Sequence, residues 1–349
     1  MRITFVLPFI NLTGGIRVLL EYANWLHEAG HEVTVVYPCW PYRFQYTRQQ
    51  QWTEFRKHAR NDGRVPWFDL RCRLLRVPLI SNVFLPRADL VVATAWPTAH
   101  DVARLHASRG KKVLIVFHHE SGTGPEHRIR AIYPLPFYRI AFSHFVRESI
   151  ERQFGCDVRE VVPNGVDTAL FFPDGRVAKN SVLFLYHPDP RKGADDRIEA
   201  LSRLRVRMPH LQVRVCGTVR PARLPPWMPF EFHPDDVALR RRYSTSAALL
   251  YPSRYEGFGL PPLEAMACGC PSVATAVGAI PEFATDRHDA LIVPIGDIDA
   301  MVDRLEELLC DAALRRRLSI EGLRTAGRFS LTRVAPLFGA ALEKASRLA

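Results

Sequence analysis

The sequence predicts an α/β protein built from two doubly wound domains, each with a parallel sheet covered by helices. Two observations indicate this class. Short β-branched runs alternate with helical patterns along the chain, and 349 residues suit two cores at roughly 150 residues per domain. The first strand–helix–strand repeat consists of the run Ile3–Leu7, an apolar helical stripe from Ile16 to Leu26 and the run Val33–Tyr37. Gly30 lies where the helix is expected to end. Strand–helix–strand order of this kind predicts parallel strands.

Ten apolar runs are predicted to be buried strands, five in each half of the chain. They are Ile3–Leu7, Val33–Tyr37, Leu90–Ala93, Val113–Phe117 and Glu160–Val162, then Val182–Tyr186, Gln212–Cys216, Ala247–Tyr251, Ser272–Ala274 and Ala290–Val293. Between the two sets, residues 171–180 (FFPDGRVAKN) are mostly polar and contain Pro and Gly, which is typical of a linker. We therefore predict a first domain over residues 1–170 and a second over 171–329.

Composition excludes several classes of protein. The chain is 47% apolar and 24% charged, as in globular proteins, and no stretch of it reaches the roughly 18–20 apolar residues of a membrane-spanning helix. The apolar run at the N-terminus is too short for a signal peptide, so we expect a cytoplasmic protein.

The charge balance favours anionic partners. The 47 Lys and Arg against 36 Asp and Glu give a net charge of +11, which does not choose among nucleic acid, a phospholipid surface and phosphorylated small molecules. The seven cysteines are scattered and predict reduced thiols rather than a metal set.

One region interrupts the strand–helix rhythm. Between Trp40 and Arg87 the chain is rich in aromatic and basic residues, with nine Lys or Arg against three Asp or Glu from Arg43 to Arg76. Long connections of this kind are often functional. The aromatic and arginine side chains could stack on nucleobases or lie on a lipid interface. The structural alternative is a partly helical excursion with its aromatics packed into the domain.

Two glycine-containing loops predict sites at strand ends. Gly14 and Gly15 follow the first strand and precede a helix, where backbone N–H groups and the helix dipole favour a phosphate; a plain tight turn explains the pair equally well. In the second domain the strand ending at Tyr251 leads to Glu256, a Gly-Phe-Gly loop, and Glu264 eight residues after Glu256. Two carboxylates on either side of such a loop can accept hydrogen bonds from sugar or ribose hydroxyls.

The Glu256-to-Glu264 segment resembles the E-x7-E signature of retaining nucleotide-sugar glycosyltransferases with the GT-B fold, most like glycosyltransferase family four. Further words in the same order are similar to that family: Gly14-Gly15, Gly30-His31-Glu32-Val33, Val162-Pro-Asn-Gly-Val-Asp167 and Gly278-Ala-Ile-Pro-Glu282. The resemblance runs from about residue 3 to about residue 300. It implies two facing Rossmann-like domains with a cleft between them, and a C-terminal helix over residues 330–349 that crosses back to the first domain.

The resemblance also implies roles for individual residues. Glu264 would bind the donor's ribose hydroxyls, while Glu256 and the backbone of Gly257, Phe258, Gly259 and Leu260 would contact the transferred sugar and the diphosphate. Gly14 and Gly15 would lie close to the diphosphate or sugar, and Lys192 would neutralise the leaving group. Nucleobase contacts are expected around Val219 or residues 232–235.

The sequence departs from the family at the leaving-group site. Members often have Gly-Arg shortly after the first strand of the second domain, whereas this chain has Tyr186-His187-Pro188 and then Arg191-Lys192-Gly193. We assign the arginine's role to Arg191, with His187 or no replacement as the alternatives. In the first domain the family's His-Asp pair matches His119-Glu120 best, with His118 as the alternative for the histidine. Glu120 is either a residue that positions the acceptor or a solvated loop carboxylate.

The function expected from this resemblance is retaining, metal-independent transfer of a hexosyl group from a nucleotide-diphosphate sugar to a glycan or lipid-linked acceptor, in cell-surface polysaccharide or glycolipid biosynthesis. No further cofactor is expected, and Asp297-Ile-Asp299 is predicted to begin a helix rather than to hold a metal. The basic aromatic region would contact the acceptor or an anionic membrane, placing the protein at the inner membrane face. Two alternatives are a basic nucleic-acid-binding protein, which would leave the two glutamates unexplained, and a non-catalytic relative that serves as an interaction module.

Overall fold

The protein is described from a computed structural model, which covers residues 1–42, 47–59, 64–118, 120 and 123–348. The chain divides into two compact units, residues 1–164 with 334–349 and residues 165–333. The predicted boundary at residue 170 is therefore six residues too late. Val166 forms a β-bridge with Ser330, and Phe171 is buried against Tyr243, so both belong to the core of the second unit. The predicted linker begins inside that core.

Among the described residues, the first unit has a seven-stranded parallel sheet in the order β3-β2-β1-β4-β5-β6-β7. Its strands are β1 Arg2–Val6, β2 Glu32–Pro38, β3 Arg73–Val77, β4 Leu90–Ala93, β5 Lys111–Val116, β6 Tyr138–Ala141 and β7 Glu160–Val161. Its helices are α1 Gly14–Glu28, α2 Arg48–Ala59, α3 Trp96–Ala103, α4 Glu126–Arg130 and α5 His144–Phe154. The predicted helix stop at Gly30 is confirmed, because α1 ends two residues earlier and Gly30 has a φ of +86°.

The second unit has a six-stranded parallel sheet in the order β10-β9-β8-β11-β12-β13 within its described residues. Its strands are β8 Ser181–Leu185, β9 Gln212–Gly217, β10 Phe230–Phe232, β11 Ala248–Tyr251, β12 Ser272–Thr275 and β13 Leu291–Val293. Its helices are α6 Ala194–Arg207, α7 Asp236–Ser244, α8 Leu260–Ala267, α9 Ile280–Phe283, α10 Ile298–Cys310 and α11 Ala312–Arg328. The strand order reverses between β8 and β11, and ligands of doubly wound sheets bind beyond the carboxyl ends of the strands at such a point.

The C-terminal helix α12, Leu331–Leu348, returns to the first unit as the resemblance implies. Phe338 lies on its buried face, with its ring stacked 4.5 Å from the ring of Tyr22 and 6.3 Å from that of Phe5. Near its end Lys344 pairs with Glu160 of β7 at 3.0 Å. Apolar burial therefore fixes this helix on the first unit's core, with an exposed ion pair adding little.

Three strands lie outside the predicted set, namely β3, β6 and β10. Strand β3 is half exposed and begins and nearly ends with arginine, and β6 contains Arg139, whose guanidinium is buried and donates to the carbonyls of Tyr133, Leu135 and Phe137. Strand β10 has only three residues. Each lacks the uninterrupted apolar run on which the prediction depended.

Candidate functional site

The loop between β11 and α8 in the second unit is shaped by glycine. Gly259 precedes the helix with a φ of +93°, and a Cβ there would lie 2.9 Å from Cγ1 of Ile280. Gly278 has a φ of +59°, and a Cβ there would lie 2.6 Å from the carbonyl oxygen of Glu256. Both positions need a left-handed backbone and leave no room for a side chain. The loop that carries Glu256 is therefore packed closely against the segment after β12.

Glu256 and Lys192 form an ion pair across the strand-order reversal. Lys192 Nζ lies 2.8 Å from each carboxylate oxygen of Glu256, whose side chain is only 8% exposed. Glu256 Oε1 also accepts hydrogen bonds from Ser253 Oγ, at 2.8 Å, and from the hydroxyl of Tyr251. The carboxylate is thus held by three donors, while the lysine, 31% exposed, remains accessible. Its position follows from Gly193, since a Cβ at that residue would lie 2.3 Å from the Pro252 carbonyl oxygen.

Glu264 lies on the first turns of α8, and its Oε2 accepts a hydrogen bond of 2.8 Å from the hydroxyl of Tyr243. Tyr243 is fully buried, and burial together with the neighbouring carboxylate raises the pKa of its phenol well above the usual value. The phenol therefore stays protonated and acts as a fixed donor. This contact orients Glu264, and the ribose role that the resemblance implies for it stays a prediction.

The loop residues between the two glutamates differ in how they can act. The ring of Phe258 is buried and stacks 5.4 Å from the ring of Phe283, so only its backbone is available to a ligand. Leu260 is the first residue of α8, and Pro261 and Pro262 follow it within the first turn. Because proline has no N–H, the donors at this helix end are those of the glycine loop and Leu260. The backbone contacts of residues 257–260 with a sugar donor stay a prediction.

Arg191, which the sequence assigns to the leaving group, is paired locally. Its Nη2 lies 2.7 Å from Oδ2 of Asp189, and its guanidinium packs over the Tyr255 ring at 5.9 Å. The alternative, His187, accepts a 3.1 Å hydrogen bond at Nδ1 from the Asp189 N–H. Burial and the nearby Lys192 lower the pKa of His187, so its imidazole is neutral at pH 7. Both cations are thus paired with a carboxylate, Lys192 with the buried Glu256 and Arg191 with Asp189.

A cavity of about 680 Å³ adjoins this cluster in the second unit. Its lining includes Tyr186, Arg191, Arg223, Arg254 and Tyr255. Arg254 forms an ion pair with Asp196 at 2.8 Å. Of the residues expected near a nucleobase, Val219 is exposed after β9 and Phe232 is exposed at the end of β10, and the base contact stays a prediction.

In the first unit, Gly14 and Gly15 open α1 after Thr13, whose Oγ1 accepts from the Ile16 N–H at 3.3 Å. Gly14 is exposed, and a Cβ on Gly15 would make ordinary contact with the Phe117 ring at 3.6 Å. A side chain at position 15 would therefore fit without a clash. This observation does not distinguish between a plain tight turn and a phosphate-binding loop.

His119, assigned to the catalytic site by the resemblance, lies outside the described residues. His118, the alternative, accepts a 2.8 Å hydrogen bond at Nδ1 from the backbone N–H of Glu120. An acceptor at Nδ1 places the proton of the neutral ring on Nε2. The Glu120 backbone thus fixes one tautomer of His118.

Glu120 is buried, so the alternative of a solvated loop carboxylate is wrong. Its Oε1 accepts a 2.9 Å hydrogen bond from the Trp96 N–H at the start of α3, and its backbone has a φ of +52°. Burial raises the pKa of Glu120 to about 8, and the Trp96 hydrogen bond acts in the opposite direction. The position of Glu120 after a strand could be predicted from the sequence, but its burial and its contact with Trp96 could not.

The basic aromatic region is partly exposed. Trp40 and Trp52 are 41% and 55% exposed, with ring centroids 4.9 Å apart, and Phe55 packs against both. By contrast, Trp67 is partly buried and its Nε1 donates to the Ile10 carbonyl at 2.9 Å. The alternative in which all the aromatics pack into the domain is therefore wrong for Trp40 and Trp52, whereas Phe55 is partly buried.

The acidic pair after β13 has structural contacts. Asp297 caps α10, accepting from the Ala300 N–H at 2.9 Å, which confirms the predicted helix start. Asp299 pairs with Arg203 of α6 at 3.0 Å. Within the described ranges, no three His, Cys, Asp or Glu side chains are grouped as metal ligands. Nor does any helix in those ranges have the length and apolar character needed to cross a bilayer.

Comparison with known proteins covers both units. Residues 12–170 match the family model Glycosyltransferase Family 4, and residues 170–324 match Glycosyl transferases group 1. The MMP alpha-(1->4)-mannosyltransferase of Mycolicibacterium hassiacum is 35% identical over 199 residues, which are 53% of this chain and 48% of that protein. The phosphatidyl-myo-inositol mannosyltransferase of Mycolicibacterium smegmatis is 26% identical over 90% of this chain and 86% of that protein. The aligned part thus spans about half the length of the former relative and most of the latter.

Solved structures share the fold at low sequence identity. Sucrose-phosphate synthase from Thermosynechococcus elongatus has a TM-score of 0.76 at 18% identity, covering all of both chains. HepE of Anabaena, solved in complex with UDP-glucose, has a TM-score of 0.76 at 16% identity, covering 99% of this chain and 100% of that one. The two family models lie end to end over residues 12–324, and the chain belongs to the family 4 and group 1 glycosyltransferases, with two Rossmann-like domains of the GT-B fold.

Proposed function

We propose that the protein transfers a hexosyl group, with retention of anomeric configuration, from a nucleoside-diphosphate sugar to a glycan or lipid-linked acceptor in cell-surface polysaccharide or glycolipid biosynthesis. The observation that carries the proposal is the Lys192–Glu256 pair, at 2.8 Å, beside a glycine loop at the reversal point of the second sheet. A nucleic-acid-binding protein would need no such pair, and a non-catalytic relative would not need its lysine accessible.

The chemical task is to stabilise the departing diphosphate. As the anomeric carbon–oxygen bond breaks, negative charge develops on the phosphate, and fixed cations and dipoles stabilise it best because they need no reorganisation. Lys192 supplies the ammonium, and the N–H groups of the glycine loop and Leu260 supply dipoles. The hydroxyls of Tyr251 and Ser253 fix the carboxylate of Glu256, and this carboxylate in turn holds the ammonium of Lys192 in place.

Retention is proposed to occur by front-face substitution. The bond from the anomeric carbon to the phosphate oxygen breaks, the acceptor oxygen bonds to that carbon on the same face, and the acceptor's proton passes to the leaving phosphate. Glu256 is an unsuitable covalent nucleophile because its carboxylate accepts from Lys192, Tyr251 and Ser253. Lys192 and backbone donors can perform this step without a metal, so metal independence is part of the proposal.

The other family positions are assigned by the resemblance. Glu264, oriented by Tyr243, would bind the donor's ribose, and Gly14 and Gly15 would lie near the diphosphate or sugar. A histidine of the His118-His119 pair would lie near the reacting sugar. The fixed tautomer of His118 supports a neutral imidazole there that donates through Nε2.

The relatives guide the choice of donor and acceptor. Two of them are named as mannosyltransferases, one acting on phosphatidyl-myo-inositol, so a mannosyl donor and a lipid-linked acceptor are the first to test. The exposed rings of Trp40 and Trp52, on a domain with excess positive charge, suit the interface of an anionic bilayer, where aromatic rings lie at headgroup depth. We therefore propose peripheral attachment at the inner membrane face.

A donor panel tests the activity. The purified protein is incubated with GDP-mannose, UDP-glucose, UDP-N-acetylglucosamine and ADP-glucose, with and without EDTA, and donor hydrolysis and nucleoside-diphosphate release are measured. We expect one donor to be consumed at the same rate in EDTA, and NMR of the product with an added acceptor to show the donor's anomeric configuration. Consumption of none of them, inverted product, or loss of activity in EDTA would contradict the corresponding part of the proposal.

A further inference from the structure

Arg197 occupies a core position of the second unit. Helix α6 presents Arg197, Ala200, Leu201 and Leu204 to the sheet at helical spacing, and Arg197 is only 1% exposed. Apolar side chains normally fill such a stripe. An arginine in this stripe is unusual because burying a cation costs several kcal/mol unless it is fully paired.

The guanidinium of Arg197 is incompletely paired. Its Nε donates to the Leu250 carbonyl at 3.2 Å, and it lies 5.2 Å from the Phe184 ring and 5.4 Å from the Tyr251 ring. In the described part of the chain, Nη1 has no hydrogen-bond partner, and the nearby carboxylates of Glu256 and Asp196 act on the guanidinium only through electrostatic attraction, without a direct ion pair. Burial lowers its pKa to about 10, so it is still charged at neutral pH.

This cation is connected to the proposed leaving-group site through a series of side-chain contacts. The ring of Tyr251 stacks on Arg197, the hydroxyl of Tyr251 donates to Glu256, and Glu256 holds Lys192. Four side chains thus form one contiguous series from the core to the accessible ammonium. Because water is excluded around Arg197, its charge is screened less than that of an exposed arginine.

We propose that Arg197 is a positioning residue of the donor site, which holds Tyr251 beneath Glu256 and places a fixed positive charge behind Lys192 for the leaving diphosphate. This inference rests on the proposed function. It also accounts for the missing family arginine after the first strand of the second domain, because Arg197 would take over part of its role. The exposed Arg191 is paired with Asp189. Arg197 has no carboxylate pair among the described residues and therefore supplies the second positive charge from below the site.

The inference can be tested with a variant that removes the buried charge of Arg197. Arg197→Met keeps the length and apolar stem of the side chain but removes the charge, and replacing a buried ion by an apolar group is often neutral or stabilising. We expect an unchanged or higher Tm, a kcat lowered by roughly ten- to a hundredfold, as for loss of one electrostatic contact, and affinity for the nucleoside diphosphate weakened about tenfold. Affinity for the corresponding nucleoside monophosphate, which lacks the second phosphate, should change by less than threefold.

Two further variants complete the experiment. Arg197→Lys keeps the charge and should recover most of the diphosphate affinity, whereas Arg203→Met, on the exposed face of the same helix, should match the wild type. Calorimetric titration with GDP and UDP measures binding directly. If Arg197→Met binds diphosphate like the wild type, or loses Tm together with affinity and is not rescued by lysine, the inference is overturned. If the wild type binds no nucleoside diphosphate, the proposed function itself fails, and the inference fails with it.

Discussion

Lys192 Nζ is equidistant, at 2.8 Å, from the two carboxylate oxygens of Glu256, although the two residues are 64 positions apart in the sequence. Strands β8 and β11 bring them together, since these are neighbours in the sheet while two strands and two helices separate them in the chain. The buried carboxylate fixes the half-exposed ammonium. The solvation that the Glu256 carboxylate loses on burial is offset by hydrogen bonds from Lys192 and from two hydroxyl groups.

Lys192→Ala should lower transfer by roughly two orders of magnitude, in line with the loss of one charged contact to a leaving group. The Tyr251 and Ser253 hydroxyls still bind Glu256, so the fold should persist with a small change in Tm. Turnover with the best donor and thermal melting measure the two effects. Lys179→Ala, at an exposed position of the same unit, is the control. Near-wild-type turnover of Lys192→Ala would refute the leaving-group role.

Tyr243→Phe should loosen Glu264 without removing it. The variant loses the 2.8 Å hydrogen bond but keeps the buried ring, so we expect donor KM to rise about five- to tenfold, which corresponds to the roughly 1 kcal/mol of one hydrogen bond. The value of kcat should change little. Glu264→Ala should be worse by a further order of magnitude in kcat/KM. An unchanged KM in Tyr243→Phe would show that the tyrosine does not orient the ribose contact.

The sequence predicted the alternating architecture and the charged residues of the site better than it predicted their surroundings. Strands β1, β2 and β8 are long apolar runs, whereas β3 and β6 contain arginines and were missed. Tyr243 and Tyr251, which bind the two glutamates, resemble ordinary core residues in sequence because their hydroxyl partners lie in other elements. Arg197 did leave a signal, since it interrupts an apolar helical stripe, but spacing alone does not show whether such a residue faces the core.

The Trp40–Trp52 pair should contribute to membrane binding. The double variant Trp40→Ala, Trp52→Ala removes two exposed rings from the interface, and we expect binding to phosphatidylglycerol vesicles to weaken about tenfold or more, because aromatic burial and lipid charge act together. Vesicle sedimentation at low and high salt measures this. Val206→Ser, which changes an exposed apolar residue of the second unit, should bind like the wild type. Equal sedimentation of all three proteins would contradict the proposed membrane face.

Glu120 should make the stability of the first unit depend on pH. Burial raises its pKa in the folded protein to about 8, above the ordinary value of 4.5, so the folded state holds the proton more tightly than the unfolded state. This contribution to stability is fully present below pH 4.5 and is lost as the pH rises through 8. Glu120→Gln cannot ionise, and its amide oxygen can still accept from the Trp96 N–H.

The Tm of Glu120→Gln minus that of the wild type should therefore increase from pH 5 to about pH 8 and be constant above that pH. Glu126→Gln is the matched control, because Glu126 is an exposed carboxylate of the same segment that pairs with Arg130 at 3.1 Å. Its difference from the wild type should be small and nearly constant over this range, since a surface pair contributes about 0.5 kcal/mol. A constant difference for Glu120→Gln would mean that Glu120 is ionised throughout, and that the Trp96 hydrogen bond outweighs its burial.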